Sequence, residues 1–263
     1  MNRRTLLSRF TAGVSSSFLL GTSGGIIAGA TGTVAAFEGS KPWSNLSHSQ
    51  QGEDLIVESI LGYLGITKPS YLDVGAADPI RINNTYLFYR KGCRGVLVEP
   101  NPAYCRRLTA ARPGDKVLNV GVGFTGEKEA DYYMIGGAVN SADLNTFSKE
   151  QAQECPSKTN GVGFVEKVIK MPMVNINVMM QENFSGAPSF LSVDTEGVDF
   201  DILSSLDFDR FRPSVVCVET LVFGTRRLES KILDLMASKD YVVRGGTFVN
   251  TIFVDNRLLK SLG

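Results

Sequence analysis

Histidine is nearly absent from this sequence of 263 residues, which contains only His48. The four cysteines, Cys93, Cys105, Cys155 and Cys217, lie far apart and form no C-x-x-C pair. A zinc cluster therefore lacks its ligands, and no metal site is expected. A chain this long buries a core of its own, so the scattered cysteines do not read as a disulfide framework. Cys217, inside the apolar run 214–218, reads instead as a buried reduced thiol. Excess charge is also lacking: 27 basic and 27 acidic residues give a formal net charge of zero. No basic run interleaved with aromatics appears, so the field that holds a polyanion is missing and nucleic acid is not expected as a partner. The sequence is 43% hydrophobic, enough for one sizeable domain with an N-terminal appendage.

The appendage is assigned to residues 1–44 and the domain to 45–263. Arg3, Arg4 and Arg9 stand in the first nine residues without an acid, and residues 10–37 then carry no charge. This is the pattern of an address or an anchor. Gly, Ser and Thr dilute its hydrophobicity below that of an ordinary spanning helix. Weak hydrophobicity behind Arg3-Arg4 resembles a twin-arginine export signal, with cleavage sites between Ala28 and Ala36. Three readings stay open: export signal, membrane association through residues 10–37, and a disordered extension of a cytoplasmic protein. A spanning segment would place the domain outside, away from the cell's cofactors.

Within the domain, residues 52–64 place Leu55, Ile56, Ile60, Leu61 and Leu64 on one helical face. Short apolar runs at 71–74, 96–98 and 116–122 read as strands, with helices over 84–91 and 103–111 between them. Strands at 190–193 and 215–218 flank a helix over 198–206, and a helix over 229–238 precedes a closing hairpin, 241–244 with 251–254. Alternating strands and helices imply a doubly wound α/β sheet with right-handed crossovers. Residues 124–183 break the pattern. Strands at 130–135 and 168–174 there read as an inserted hairpin or flap.

Such sheets bind ligands beyond the carboxyl ends of their strands, where the strand order reverses. Gly75 follows the first strand and allows a tight turn against a ligand. Glu99 ends the second, where an acid can accept both hydroxyls of a ribose. The first turn, Gly75-Ala76-Ala77-Asp78-Pro79, lacks the later glycines that admit a pyrophosphate, and Asp78 would repel phosphate. A ligand with ribose, ammonium and sulfonium groups suits Asp73, Asp78 and Glu99 better, which favours S-adenosylmethionine over NAD. Asp194 and Glu196 follow the fourth strand and can act as general base or bind acceptor hydroxyls; either can equally cap the next helix. They could also ligate a hard divalent cation. Glu219 either lines an acceptor pocket or merely ends its strand, and His48 is either a base or a loop histidine.

Ser49-Gln50-Gln51-Gly52-Glu53-Asp54, YLDVGAADP (71–79), NNTYLFYRKG (83–92), RGVLVEPNP (94–102) and SVDTEGVDFDIL (192–203) together resemble the FkbM-type methyltransferases. The resemblance spans about residues 47–256. It implies a seven-stranded Rossmann-like sheet with an antiparallel last strand, and O-methylation of a hydroxyl on a sugar or other small molecule. Asp73, Gly75 and Ala76 would then line the cofactor's methionine part, with Asn84 and Thr85 nearby and Glu99 on the ribose. Ala77 departs from the pattern where many members have Asn, and Asp199 where the pattern has Glu. The competing reading is a non-catalytic Rossmann-like domain that binds a glycan or partner, as an exported protein could, and has lost cofactor use.

Overall fold

In a computed structural model the described residues are 46–137, 145–158, 161–195, 197–221 and 227–262. The expected export signal or membrane segment lies outside them. Among the described residues no helix is long and apolar enough to cross a membrane.

Strand β1, Tyr71–Val74, is buried at every position, as a central parallel strand covered on both faces must be. It pairs in parallel with β2 (Gly95–Val98) on one side and β7 (Phe190–Val193) on the other. Beyond β2 lies β3 (Lys116–Leu118); beyond β7 come β8 (Val215–Glu219), β10 (Asn250–Asp255) and β9 (Tyr241–Gly246). The order is β3-β2-β1-β7-β8-β10-β9, and β10 alone opposes its neighbours. The strand order reverses at β1, which places the ligand crevice between the ends of β1, β2 and β7.

Strand alternation divides the core. Leu72, Val74, Leu191, Val193, Val216 and Val218 face α5 (Ile176–Asn183), α6 (Asp199–Ser205) and α7 (Ser230–Ser238), whose Met179, Met180, Ile202, Leu203, Ile232 and Met236 are buried there. Tyr71, Phe190, Val215, Cys217 and Ile252 face the other way. They meet Val57 and Leu61 of α1 (Glu53–Tyr63), Phe88 of α2 (Tyr86–Arg90) and Leu108 of α3 (Pro102–Ala111). The cysteines are free and buried, Cys217 within this second cluster. A C-terminal helix, α8 (Asn256–Ser261), follows β10.

The expected strand over 116–122 proves to be two. β3 ends at Leu118, and β4 (Gly121–Gly123) turns away to pair with β6 (Phe164–Asn175), which in turn pairs with β5 (Glu129–Gly136). The break lies at Asn119, whose amide donates to the Glu99 and Pro100 carbonyls, 2.9 Å each. The insert is therefore a three-stranded sheet in the order β4-β6-β5. It also carries α4 (Lys149–Lys158), where the sequence predicts no element. That segment is polar nearly throughout, and among its described side chains only Ala152 and Cys155, one turn apart, pack on Ile135 in a small core of their own.

Candidate active site

Backbone hydrogen bonds carry the sheet past its strand ends and so build the site. Gly75 N and Ala76 N donate to Val98 O at 2.9 and 3.2 Å, Glu99 N to Leu118 O at 3.0 Å, and Asp194 N to Val74 O at 3.0 Å. Glu99, Gly75 and Asp194 consequently stand on one edge of the sheet, in the order of their strands. Gly75 has φ +84°, and a Cβ there would lie 1.9 Å from the Asp194 carbonyl oxygen. Only glycine lets the turn after β1 press against the end of β7.

Glu99 is 5% exposed. One carboxylate oxygen accepts from Ala77 N at 2.9 Å and the other from Asn101 N at 2.7 Å. Burial, with the nearby Asp73 charge, outweighs those two N–H groups and pushes its pKa up to about 7. Each oxygen retains capacity for a second donor, which is what a vicinal diol requires. Ala77 is held at φ +46°, a conformation that Asn tolerates better than Ala. The Asn expected there by resemblance thus has a conformational reason.

Asp73 shares a face of β1 with Tyr71, so its carboxylate points toward the α2 side rather than toward α5–α7. It accepts from Thr85 Oγ1 at 2.6 Å and from Asn83 Nδ2 at 3.4 Å, and burial raises its pKa. Asn83 binds back through Nδ2 to the Ala76 carbonyl at 3.0 Å, while its Oδ1 accepts from Thr85 N and Tyr86 N. Asn84 Nδ2 donates to Ser192 Oγ at 3.1 Å, linking this loop to β7. Beneath it lies Arg112, a buried cation the sequence reading passed over. Its guanidinium reaches Asn83 Oδ1 and Thr85 Oγ1 at 3.0 Å each, Tyr71 OH at 3.1 Å and Asp115. Asp73 and Thr85 therefore shape the loop over residues 76–85 from below.

On the opposite side of Gly75, Asp194 is half-buried, and Glu196 lies outside the described residues. Asp199, at the start of α6, accepts from Thr195 N, Thr195 Oγ1 and Gly197 N at 2.9, 3.0 and 3.3 Å. An aspartate in place of the pattern's glutamate thus caps the turn that carries Asp194. Burial raises its pKa against those donors. Glu219 ends β8 opposite Asn250. Asn250 donates to buried Glu53 at 2.9 Å, yet its Oδ1 is buried without a partner.

The Ser-Gln-Gln-Gly-Glu-Asp segment ties these parts together. Asp54 accepts from Ser47 Oγ, His48 N and Ser49 Oγ, and Glu53 from Thr247 Oγ1, while the His48 carbonyl accepts from Asn83 N. The hydrogen bonds to Glu53, from Asn250 first, prevail over burial and lower its pKa. His48 is half-buried, its Nε2 3.2 Å from the Arg90 guanidinium and its ring edge-on to Tyr86. A nitrogen receiving that guanidinium N–H has no lone pair for base work. The part given to Asp78 needs correction. Its carboxylate caps the turn at Ile80 and Arg81 and pairs with Arg107 at 2.6 Å. Despite some burial, these donors hold its pKa low, and the pairing offsets the charge that was expected to repel phosphate. The missing glycines alone then argue against a dinucleotide. No cluster of metal-ligating side chains occurs among the described residues.

A seven-stranded sheet in this order, with one antiparallel strand and its acids gathered at the switch point, defines a Rossmann-like domain of the class I methyltransferase type. The chain belongs to the methyltransferase FkbM domain family, whose model matches residues 73–243. Among solved structures it is similar to a TehB-like SAM-dependent methyltransferase from Corynebacterium glutamicum (6% identity, 84% of this chain and 95% of that one, TM-score 0.41). It is also similar to an O-methyltransferase from Bacillus cereus in complex with SAH (10%, 84% and 86%, 0.42). A third is the 1,6-didemethyltoxoflavin-N1-methyltransferase of Burkholderia thailandensis (11%, 88% and 91%, 0.40). No match to the chain is found among curated proteins.

Proposed function

We propose that the protein transfers the methyl group of S-adenosylmethionine to a hydroxyl of a sugar or other small metabolite, with Glu99 on the cofactor ribose and Asp194 beside the acceptor. The observation that carries this reading is the placement of Glu99, Gly75 and Asp194 side by side on one edge of the sheet. The donor set suits the cofactor. Glu99 keeps two lone-pair positions for a diol, the Gly75 turn leaves no side chain over the junction of β1 and β7, and the missing glycines disfavour a pyrophosphate. Asn84 and the backbone from Gly75 to Ala76 border the methionine part, held in place by Asp73, Thr85 and Arg112.

The sulfonium supplies a methyl group that is already electrophilic. The chain's own task is to hold a hydroxyl in line with it and exclude water. An unactivated hydroxyl must also lose its proton, and we assign its removal to an Asp194 carboxylate oxygen. Asp194 follows β7, which pairs with β8, and β8 pairs with β10, so Glu219 and Asn250 border the same acceptor side. Asp194→Asn is expected to slow methyl transfer about 100-fold or more while leaving S-adenosylhomocysteine affinity within a factor of about two. Undiminished turnover in a radiolabel assay would remove Asp194 from this role.

Glu99→Ala should weaken cofactor binding by about 1 to 3 kcal/mol, the worth of a charge-assisted hydrogen-bonded pair. Because burial raises the Glu99 pKa from 4.5 to about 7, the folded protein keeps a proton in that window which the unfolded chain has released. Its stability contribution therefore falls as pH rises from about 4.5 to 7. A diol donates to the ionised form, so affinity should rise with pH, by at most about tenfold per unit, and level off above pH 7. Calorimetric titration of wild type and Glu99→Gln between pH 5.5 and 8 checks this, since the variant should lose the slope. A wild type that binds no S-adenosylhomocysteine at any pH would favour the non-catalytic reading.

A further inference from the structure

Glu99 ends a strand at the open edge of the sheet, where solvent would ordinarily reach it, yet it is 5% exposed. The inserted sheet bears on this cover. Tyr132, on β5, is 4% exposed, and its pKa is raised by burial first and then by the Glu99 charge. Cys105 donates to the Glu99 carbonyl at 2.9 Å. On the same strand, Ile135 N donates to Asn145 Oδ1 at 2.8 Å. The Tyr132 ring packs on Phe147 with centroids 4.8 Å apart. Phe147 and Met173 close over Gly121, where a Cβ would lie 2.5 Å from Phe147 Cζ and from Met173 Sδ. Gly121 stands two residues beyond Asn119, the residue bonded to the Glu99 and Pro100 carbonyls. An aromatic and thioether wall from the insert thus lies over Gly121, two residues past Asn119 and its hydrogen bond to the Glu99 carbonyl.

We propose that Tyr132 is a cofactor-binding residue: the inserted sheet closes over the adenosine part, setting the Tyr132 ring and hydroxyl against the nucleoside held by Glu99. The inference rests on the reading of Glu99 as the ribose acceptor. An aromatic ring offers a nucleobase a broad apolar face, and a phenol offers a polar edge to the ribose or ring nitrogens. Since acid and phenol are both nearly covered, the nucleoside enters only when the insert moves aside, and the bound state holds it closed. Recognition of this kind favours adenosine over the amino-acid end of the cofactor.

The test combines calorimetry and hydrogen exchange on the full chain. Tyr132→Ala is expected to weaken S-adenosylhomocysteine binding about tenfold or more, and Tyr132→Phe, which keeps the ring, about two- to fivefold. In the wild type, saturating S-adenosylhomocysteine or adenosine should slow amide exchange across 129–136 and 164–175, whereas methionine should leave it unchanged. If both Tyr132 variants bind as wild type while Glu99→Ala binds weakly, the inference falls and the ribose reading stands. Should Tyr132→Ala fail to fold, exchange in the wild type decides: no slowing in the insert on saturation overturns the proposal. A wild type that binds no S-adenosylhomocysteine overturns the cofactor reading and the inference together.

Discussion

Replacement of Arg112 by leucine is expected to lower the unfolding free energy by about 3 to 5 kcal/mol, the cost of stranding one member of a buried ion pair. Arg112 and Asp115 side chains are both fully inaccessible, with Nε and Nη2 on one carboxylate oxygen at 2.8 and 2.7 Å. The same guanidinium donates to Asn83, Thr85 and Tyr71. Leucine fills much of the volume but leaves Asp115 with only Tyr71 OH and Gly95 N as donors. Lysine should not rescue it, because one ammonium cannot reproduce a planar fork spanning four residues. Removing the acid as well, in Arg112→Leu/Asp115→Leu, should recover part of the loss. Urea unfolding measures the stability. Cofactor titration should show weaker binding too, because Asn83 and Thr85 hold the loop under which the methionine part is proposed to lie. A loss below about 1 kcal/mol would mean that the network is worth no more than a surface pair.

Gly75→Ala should be nearly as damaging and should strike binding more directly. The new methyl would lie 1.9 Å from a backbone oxygen, that of Asp194, and no side-chain rotation relieves such a contact. The residue must also keep φ +84°, a left-handed conformation that costs a residue with a Cβ about 1 to 2 kcal/mol. Overpacking adds about 1 to 3 kcal/mol. The damage should appear as a lower Tm together with lost S-adenosylhomocysteine binding, because the end of β1 can relax only by moving away from the end of β7. Retention of wild-type affinity would show that the turn is not part of the cofactor site.

Much of the fold was legible in the sequence because its signals are local. Short apolar runs ending on Gly75, Glu99 and Asp194 mark parallel strands buried on both faces, and the structure begins and ends the 71–74 and 190–193 strands as read. Where burial is supplied from a distance, the local signal failed. The run 116–122 is continuously strand-like, yet Asn119 divides it between two sheets, because its amide serves the Glu99 and Pro100 carbonyls. The helix over 149–158 is too polar to be read, since among its described side chains it buries only Ala152 and Cys155. Arg112, beside a proline at the end of a helix, has the sequence context of an exposed residue, and only its contacts with Tyr71 of β1 and with Asn83 and Thr85 enclose it completely.

By itself the sequence determined which residues stand at the strand ends, Asp73 with Gly75, Glu99 and Asp194, and with them the family. That is possible because strand ends and tight turns are written in neighbouring residues. What each carboxylate does there was decided by tertiary structure alone. Strand alternation points Asp73 at Thr85 and Asn83, Arg107 offsets the charge of Asp78, and burial raises the Glu99 carboxyl above its usual range. Charge, burial and reach at an active site depend on residues far apart in the chain, so no local pattern carries them.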